Sequence, residues 1–469
     1  MNSHNRQWKS QDTREYRIVV LDEEVRHSRK SETECIVGRD LNIQHDNLEN
    51  YCFKSLTPTQ YDLVLLAGSI AFADRSAKRQ LMVEWRRHLT VTMPVHEPDR
   101  WRNRETVDSL CDTLRFVTGD VWHFEFVPRK KPSELLGRQT KMPLAQRTSA
   151  VLPFSNGLDS FANYRSLNLK ESGANPIAVT TWNQSVAGRE TDWLDENEMP
   201  RLRRLKIPFG LGNIHHPEPT YRSRTFVFYT LAALAAHSSD AQRIVIPENG
   251  QGSLGPSLTT FGGEWPHRGS HPGFTERLGG FLRNLDAWNV FFEHPHLWST
   301  KGQVLQTLRE HASLNGWERT KSCVRDRRHV SLNGAAIHCG VCTGCMLRRL
   351  ALYAAGVDSG SERYLWNDLN ASSIDDGMLR NASRETTSND RDIAVHAVLD
   401  HEAMAKAIEA SNEQSLIRVA YETAEATKES AGETLQKLKS LLSAHRQEWR
   451  GFVQLLRPES WVRTIVANC

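Results

Sequence analysis

One short stretch of this sequence, Phe154–Ser160, combines the residue types that bind phosphate groups. It follows an apolar run and precedes apolar residues at helical spacing, which predicts a strand, a tight turn and a helix N-terminus. Backbone N–H groups at such a junction point towards an anion. Ser155 and Ser160 add hydroxyls. Gly157 permits a positive φ, and Asp159 offers a carboxylate for Mg²⁺ or for the turn itself. The stretch therefore predicts either a phosphate-binding loop or an ordinary strand–turn–helix connection.

Three cysteines at two-residue intervals, Cys339, Cys342 and Cys345, form a second distinctive group. A turn with this spacing presents successive thiolates to one metal ion at about 2.3 Å. Cys323, upstream, would complete a closed tetrahedral site of the structural zinc type, and an iron–sulfur cluster is the alternative. His338 is either a substitute ligand or an exposed neighbour. The other cysteines show no ligand spacing.

The elements that must position these groups alternate between strand and helix signals over residues 150–360. This alternation favours an α/β fold, a doubly wound parallel sheet with right-handed crossovers. Ligands of such sheets bind outside the carboxyl ends of the strands. The turn Glu248-Asn249-Gly250 also follows a predicted strand. We therefore expect it to face the same crevice as Phe154–Ser160.

The flanking regions differ in character from this central part. The N-terminal part mixes strand and helix signals, and Pro94 predicts that a strand over Val91–Val95 lies at a sheet edge. The C-terminal part carries apolar residues at helical spacing, with an interruption expected at Gly432. The division we expect is a disordered N-terminus over 1–16, an α+β domain over 17–145, the α/β domain over 146–365, and a helical C-terminal region over 366–469.

Composition excludes several classes of protein. A length of 469 residues predicts about three domains. Hydrophobic and charged contents of 39% and 25% are typical of a soluble globular protein. The net charge of +3 is too small to indicate direct nucleic-acid binding. The polar start predicts no signal peptide, and the longest apolar run is too short to span a bilayer. Clustered cysteines favour a reducing compartment, so we expect a cytoplasmic protein.

The order of the two groups resembles a known enzyme family. The stretch at 154–160 is similar to the S-G-G-x-D-S loop of the PP-loop ATP pyrophosphatases, with Asn156 in place of the usual Gly. Asn is the non-glycine residue that best tolerates the left-handed region. A PP-loop followed by Ser-Cys and by Cys-Gly-x-Cys-x-x-Cys-x-x-Arg resembles the 7-cyano-7-deazaguanine synthase (QueC) family. The residues that match are Ser155-Asn156-Gly157-Leu158-Asp159-Ser160, Ser322-Cys323, His338 to Cys345, Arg348 and Lys301.

The resemblance covers about residues 150–360. It implies a PP-loop fold similar to the adenine nucleotide alpha hydrolases and a ligase that adenylates the carboxylate of 7-carboxy-7-deazaguanine, releasing pyrophosphate and then AMP. It implies that residues 155 to 160 bind ATP, that Asp159 holds Mg²⁺, and that Arg224 and Lys301 offset phosphate charge. The four cysteines would bind a structural zinc. The amine acceptor is ammonia in the family's housekeeping members and a protein amine is the other option.

The sequence also departs from the family. The Asp-containing substrate loop is replaced by residues 248–256 and 267–272, and Arg222-Ser223-Arg224 replaces Pro-Gly-Arg-Asn. We take Glu248, Asn249, Arg268 and His271 as substrate-binding candidates. Glu248 would accept from base N–H groups, and Asn249 would donate to a carbonyl. Arg268 would pair with the carboxylate. Turn formation, or a solvated charge in the case of Arg224, is the alternative for each.

The additional terminal regions resemble the QueC-like proteins of bacterial anti-phage operons, notably the QatC type. This implies a role in anti-phage defence and operon-encoded protein partners, with no membrane partner and a dimer as one option. Two other functions stay open. One is a PP-loop tRNA-modifying enzyme. Such an enzyme needs a catalytic pair of cysteines, and here the metal site would occupy the cysteines. The other is a degenerate PP-loop scaffold subunit, which Asn156 and the lost Asp loop favour.

Overall fold

The computed structural model describes residues 15–22, 32–43, 46–52, 54–80, 84–129, 148–171, 175–182, 203–212, 216–259, 263–312, 314–325, 330–332, 335–360, 362–382 and 384–469. The segment predicted to be disordered lies outside these ranges except for its last two residues, which begin a strand. None of the helices in these ranges is long and apolar enough to cross a membrane.

The N-terminal part of the chain forms a small parallel sheet covered by helices. Its elements are β1 (Glu15–Leu21), β2 (Glu32–Ile36), β3 (Leu41–Ile43), α1 (Asp46–Cys52), α2 (Pro58–Ser76), β4 (His88–Val95), α3 (Pro98–Trp101), α4 (Arg104–Thr118) and β5 (Val121–Pro128). The sheet order is β2-β1-β4-β5, and every pairing is parallel. We expected an α+β arrangement here. The sheet is parallel because the connections from β2 to β4 and from β4 to β5 run through helices, which lets successive strands point the same way.

The prediction of an edge strand at Val91–Val95 was wrong. These residues belong to β4, which lies between β1 and β5. The described pairing of β4 with β1 ends at Thr92. Pro94 has no backbone N–H, and it therefore interrupts no hydrogen bond of that pairing. The neighbouring strand β5 alternates, since Trp122 and Phe126 are buried in the core while His123 and Glu125 are exposed.

The second sheet lies in the centre of the molecule. Its elements are β6 (Val151–Pro153), α5 (Leu158–Lys170), β7 (Ile177–Trp182), β8 (Arg203–Leu211), α6 (Arg224–Ser238), β9 (Arg243–Val245), α7 (Gly250–Leu254), α8 (Pro272–Asp286), β10 (Phe291–Glu293) and α9 (Lys301–His311). The order is β10-β9-β6-β7-β8-β3. All pairings are parallel except that of β3, which joins β8 antiparallel. The predicted mixed α/β fold with a parallel sheet is confirmed.

Alternate strand residues of this sheet pack into two separate cores, which shows that helices cover both faces. Val151, Ile177 and Ile244 pack with helix α6. Their neighbours Leu152 and Ala178 pack on the other face with helices α5 and α9. Both faces are apolar because a parallel sheet is buried on both sides by its crossover helices. The result is a three-layer arrangement.

The expected boundary at residue 145 does not separate two independent cores. Strand β3 comes from the N-terminal part yet pairs with β8, and one apolar cluster includes side chains from both sheets. The two sheets therefore pack as one body.

The C-terminal part begins with the cysteine-rich segment and continues as helices. Its elements are β11 (Ser331–Leu332), β12 (Ala335–Ala336), α10 (Thr343–Ala354), α11 (Ser388–Lys406), α12 (Glu413–Thr427), α13 (Ala431–Leu455) and α14 (Trp461–Ala467). The expected interruption at Gly432 falls slightly earlier, at Lys428, which has a positive φ of 59°. Helices α12 and α13 pack through Leu416, Leu438 and Leu441 against Leu254 of α7. The C-terminal helices thus reach the carboxyl side of the central sheet.

A buried network of charges joins the two sheets. Asp74 of α2 lies 2.6 Å from Arg87 Nη2 and accepts from the Ser223 backbone N–H at 2.8 Å. Arg79 donates through Nη2 to Asp120 at 2.7 Å, and its backbone N–H donates to Glu218 at 2.7 Å. Burial opposes ionisation of Asp74, but the charges of Arg87 and Arg79 outweigh it, so the pKa of Asp74 is lowered.

We predict that Asp74→Ala destabilises the protein by about 3–5 kcal/mol, because it removes one carboxylate from a buried ion network and leaves Arg87 and Arg79 to share Asp120. The measurement is urea unfolding followed by circular dichroism. Asp108→Ala is the matched control, since Asp108 pairs with Arg104 at 3.4 Å on the exposed face of α4 and should cost little. Equal losses of stability in the two variants would contradict the importance of the buried network.

Candidate functional site

The turn after β6 contains a residue with a positive φ, as expected, but Asn156 supplies it instead of Gly157. Asn156 has a positive φ of 55°, whereas Gly157 is extended and precedes the first turn of α5. The expectation that Gly157 provides the positive φ was therefore wrong. Gly157 is needed for space, since a Cβ there would lie 3.1 Å from Ser155 Oγ and 3.3 Å from the Lys321 carbonyl oxygen.

The hydroxyl groups of the turn hold its shape. The buried Ser160 accepts through Oγ from the Ser155 backbone N–H at 3.2 Å, and its Oγ lies 3.1 Å from Ser155 Oγ. Ser155 is exposed and Leu158 is buried in the core. The Asn156 Oδ1 atom is buried and has no hydrogen-bond partner among the described residues. The turn therefore presents one hydroxyl to solvent and retains one unused acceptor.

Asp159 is the point where three elements of the site meet. Its Oδ2 lies 2.7 Å from Lys301 Nζ, at the start of α9, and its Oδ1 accepts from Asn249 Nδ2 at 2.9 Å. The second hydrogen of that amide reaches Glu248 Oε1, also at 2.9 Å. These contacts bring the turn at 154–160 and Glu248-Asn249-Gly250 together, as expected.

Asn249 has a role different from the one we predicted. Its Oδ1 accepts from the backbone N–H groups of Gln251 and Gly252, at 2.9 and 3.2 Å, which fixes the orientation of the amide. Both amide hydrogens then face carboxylates. Asn249 is thus fully used in bridging Asp159 to Glu248, and it is buried. It positions the carboxylates and has no free donor for a ligand carbonyl.

Glu248 is a half-buried carboxyl next to a second one. Burial raises its pKa, the charge of Asp159 raises it further, and Lys301 opposes both, which gives a pKa of about 8. A single lysine therefore faces two carboxyl groups, and Glu248 is the one that holds a proton near neutral pH. A group that titrates there can accept or donate a proton in a reaction.

Lys301 is held at the first turn of α9 by capping contacts. Thr300 is the N-cap of α9 and forms a capping box with Gln303. The Lys301 backbone N–H donates to Gln251 Oε1 at 2.8 Å, and the lysine side chain is only 7% exposed. Sequence reasoning missed Gln251, because its partner lies 50 positions further along the chain and no spacing signals the contact.

Among the described residues, the other candidates make no hydrogen bond or ion pair with Asp159; they are Arg224, Arg268 and His271. Arg224 is exposed, with its guanidinium 4.9 Å from the Phe228 ring centroid. Arg268 is buried between the rings of Phe116 and Trp265 and lies 3.1 Å from Glu422 of α12.

His271 caps helix α8, where its Nδ1 accepts from the Gly273 backbone N–H at 3.0 Å. Burial, and after it the charge of Arg268, lower its pKa to about 3. The described contacts of His271 and Arg268 are mainly with helices α4, α8 and α12.

The four cysteines form a compact cluster, as expected. The sulfurs of Cys323, Cys339, Cys342 and Cys345 all lie within 4.8 Å of one another and are buried. The Cys339 and Cys345 sulfurs are 3.7 Å apart, close to the roughly 3.8 Å between ligands of a tetrahedral zinc with bonds of about 2.3 Å. The Cys342 backbone N–H points at Cys339 Sγ, at 3.2 Å, which favours a thiolate. The cluster fits a single metal ion such as zinc better than a larger iron–sulfur cluster.

The residues around this cluster connect it to the candidate site. Arg348 is fully buried and donates to Thr320 Oγ1 at 2.7 Å and to Ser322 Oγ at 3.2 Å. His338 is neither a ligand nor exposed, since its Nε2 accepts from the Ser322 backbone N–H at 3.1 Å. In the same segment, the Lys321 backbone N–H donates to the Asn156 carbonyl at 3.0 Å. The metal-binding segment therefore supports the positive-φ residue of the turn directly.

Comparison of the chain with protein-family models found no match, and comparison with curated proteins found none either. The resemblance named above therefore depends on the matching residues themselves.

We predict one zinc ion per chain and its loss in Cys345→Ser, together with a lower soluble yield, because metal binding at such sites contributes folding free energy. Elemental analysis of the purified protein is the measurement. Cys469→Ser is the control, since Cys469 is exposed and outside the cluster. Iron with visible absorbance, or full zinc content in Cys345→Ser, would contradict this prediction.

We also predict that Glu248→Gln becomes more stable relative to the wild type as pH rises. The pKa of this carboxyl rises from 4.5 to about 8 on folding. The carboxyl therefore costs no folding free energy below pH 4.5, and its cost grows as the pH rises from 4.5 to about 8. Glutamine keeps the acceptor for Asn249 and removes the titration. Urea midpoints at pH 5 and pH 8 test this, with exposed Glu425→Gln as the control. The same difference from wild type at both pH values would show that Glu248 does not titrate in this range.

Proposed function

We propose that this protein is an ATP-dependent enzyme of the PP-loop type that activates a carboxylate by adenylation. The observation that carries the proposal is the meeting of Asp159, Lys301 and the turn at 154–160 beside Glu248. These groups lie at the carboxyl ends of β6 and β9, where the strand order reverses. This is the position at which open α/β sheets bind ligands.

The turn and helix α5 supply the groups that would contact phosphates. The first turn of α5 has free backbone N–H groups and no side-chain cap, and Ser155 presents an exposed hydroxyl beside it. Lys301 is the cation of the site. With phosphates bound, Lys301 would pair with them and Asp159 would be available to hold Mg²⁺, which would neutralise phosphate charge.

The reaction that suits these groups begins with attack of a substrate carboxylate oxygen on the α-phosphorus of ATP. The bond from that phosphorus to the bridging oxygen breaks, and pyrophosphate leaves. An amine then attacks the carbonyl carbon of the acyl-adenylate, forms a C–N bond and expels AMP. The amine gives up a proton in this step, and Glu248 could accept it in its deprotonated form, which becomes the main form above its pKa of about 8.

The QueC resemblance supports a particular substrate and context. The carboxylate would belong to a 7-deazaguanine base such as 7-carboxy-7-deazaguanine, and the amine would be ammonia or a protein amine. The anti-phage role and the operon-encoded partners also follow from the resemblance to QatC-type proteins. The half-buried Glu248 remains the best placed acceptor for the N–H donors of a guanine edge.

We predict that the purified protein exchanges pyrophosphate into ATP when 7-carboxy-7-deazaguanine is present, and that Asp159→Ala lowers the rate at least about 100-fold. The measurement is incorporation of labelled pyrophosphate into ATP. Lys170→Ala is the matched control, because Lys170 is an exposed charge at the far end of the same helix, and it should exchange normally.

Two outcomes would change the proposal. Exchange that survives Asp159→Ala would remove this site as the place of ATP chemistry. No exchange by the wild type with any deazapurine carboxylate would favour a catalytically inactive PP-loop subunit.

A further inference from the structure

The C-terminal helix α13 supports Lys301 of the proposed site through one intermediate residue. Gln251 is the connecting residue, since its Oε1 accepts from the Lys301 backbone N–H at 2.8 Å. The other end of that amide, Nε2, lies 2.8 Å from His445 Nδ1. Gln251 and His445 are both buried. The lysine is thus linked to a residue 144 positions later in the sequence by a chain of two hydrogen bonds.

The protonation of His445 follows from its partners. Because the amide oxygen of Gln251 faces a backbone N–H, its NH₂ group must face His445, so Nδ1 accepts. The ring proton is then on Nε2, which donates to the His401 carbonyl oxygen at 3.0 Å. Burial lowers the pKa of His445 to about 4, so the ring is neutral near pH 7. The hydrogen bonds that run from Lys301 through Gln251 and His445 to His401 therefore each have a matching donor and acceptor.

A second contact from α13 reaches the same turn of α9. Thr300 accepts through Oγ1 from the Gln303 backbone N–H at 3.0 Å and donates its hydroxyl hydrogen to Glu448. Gly302 leaves room for that carboxyl, since a Cβ there would lie 2.8 Å from Glu448 Oε1. His445 and Glu448 are three positions apart on α13, so both face the start of α9.

We propose that His445 and Glu448 are positioning residues for Lys301, so that the C-terminal helices form part of the site. Lys301 Nζ can lie next to Asp159 only while the first turn of α9 is held in place. The contacts made by His445 and Glu448 hold this turn on either side of the Lys301 backbone. Their importance for catalysis rests on the proposed function. The positioning itself is a statement about Lys301 and can be measured without ATP.

The test is the rate at which an amine-reactive reagent modifies Lys301, followed by peptide mass spectrometry. Lys301 should react slowly in the wild type, because it is buried and paired with Asp159. His445→Ala should speed the modification about fivefold, the change expected when one net hydrogen bond is lost. His445→Asn should stay near the wild-type rate, because its amide oxygen can replace Nδ1 as the acceptor. Gln447→Ala, on the exposed side of α13, is the matched control.

Glu448 gives an independent arm of the experiment. Glu448→Gln keeps an acceptor for Thr300 and should leave the rate unchanged, whereas Glu448→Ala should raise it. This arm keeps the proposal testable if His445→Ala does not fold. An unchanged Lys301 rate in folded His445→Ala and Glu448→Ala would overturn the proposal, as would equal acceleration in His445→Asn.

Pyrophosphate exchange, measured on the same proteins, separates this inference from the proposed function. A wild type without exchange, but with faster Lys301 modification in His445→Ala, would reject the proposed function and retain the positioning role. Exchange in the wild type with unchanged Lys301 rates would reject only the positioning role.

Discussion

The site depends on the reversal of strand order beside β6. From β6 the chain adds β7 and β8 on one side, and it then returns to place β9 and β10 on the other. The connections leaving β6 and β9 must separate at this point, so a crevice opens at the carboxyl ends of the two strands. Asp159 comes from the first connection, Glu248 from the second, and Lys301 from the turn after β10. Without the reversal these residues would lie on separate parts of the sheet edge.

The charges in that crevice are unequal, and this has a consequence for function. Asp159 and Glu248 face one amide and one lysine, so the structure neutralises only one carboxylate completely. The second carboxylate must therefore bind a proton or be paired with an added cation. A binding partner that brings positive charge, such as a metal ion held by phosphates, is therefore favoured by the charge balance already present.

Much of the site could be predicted because its signals are local. The strand–turn–helix connection, the Thr300 cap and the spacing of Cys339, Cys342 and Cys345 each occupy a few neighbouring residues. The parts that were missed are contacts between distant segments. Arg268 seemed available for a ligand, but its partner Glu422 lies in a helix whose packing no local pattern predicts. The parallel order of the first sheet was missed for the same reason, since strand direction depends on crossovers and not on the strand sequence. Gly157 was assigned the positive φ because glycine adopts it most easily, yet the structure uses that glycine for space and Asn156 for the turn.

The metal cluster affects the site without reaching it. A metal ion shared with the other three cysteines would fix Cys323, and Ser322 and Thr320 beside it are held by Arg348. Lys321 lies between these anchored residues, so its N–H is held where it meets the Asn156 carbonyl. A non-glycine residue with positive φ costs about 1–3 kcal/mol unless its surroundings compensate. The hydrogen bond from Lys321 is a contact that can provide such compensation, and it exists only while the segment is anchored. Loss of a metal ion from the four cysteines would therefore release the turn from this support, so the cysteine cluster can affect the conformation of residues 155–160 although it lies outside the turn.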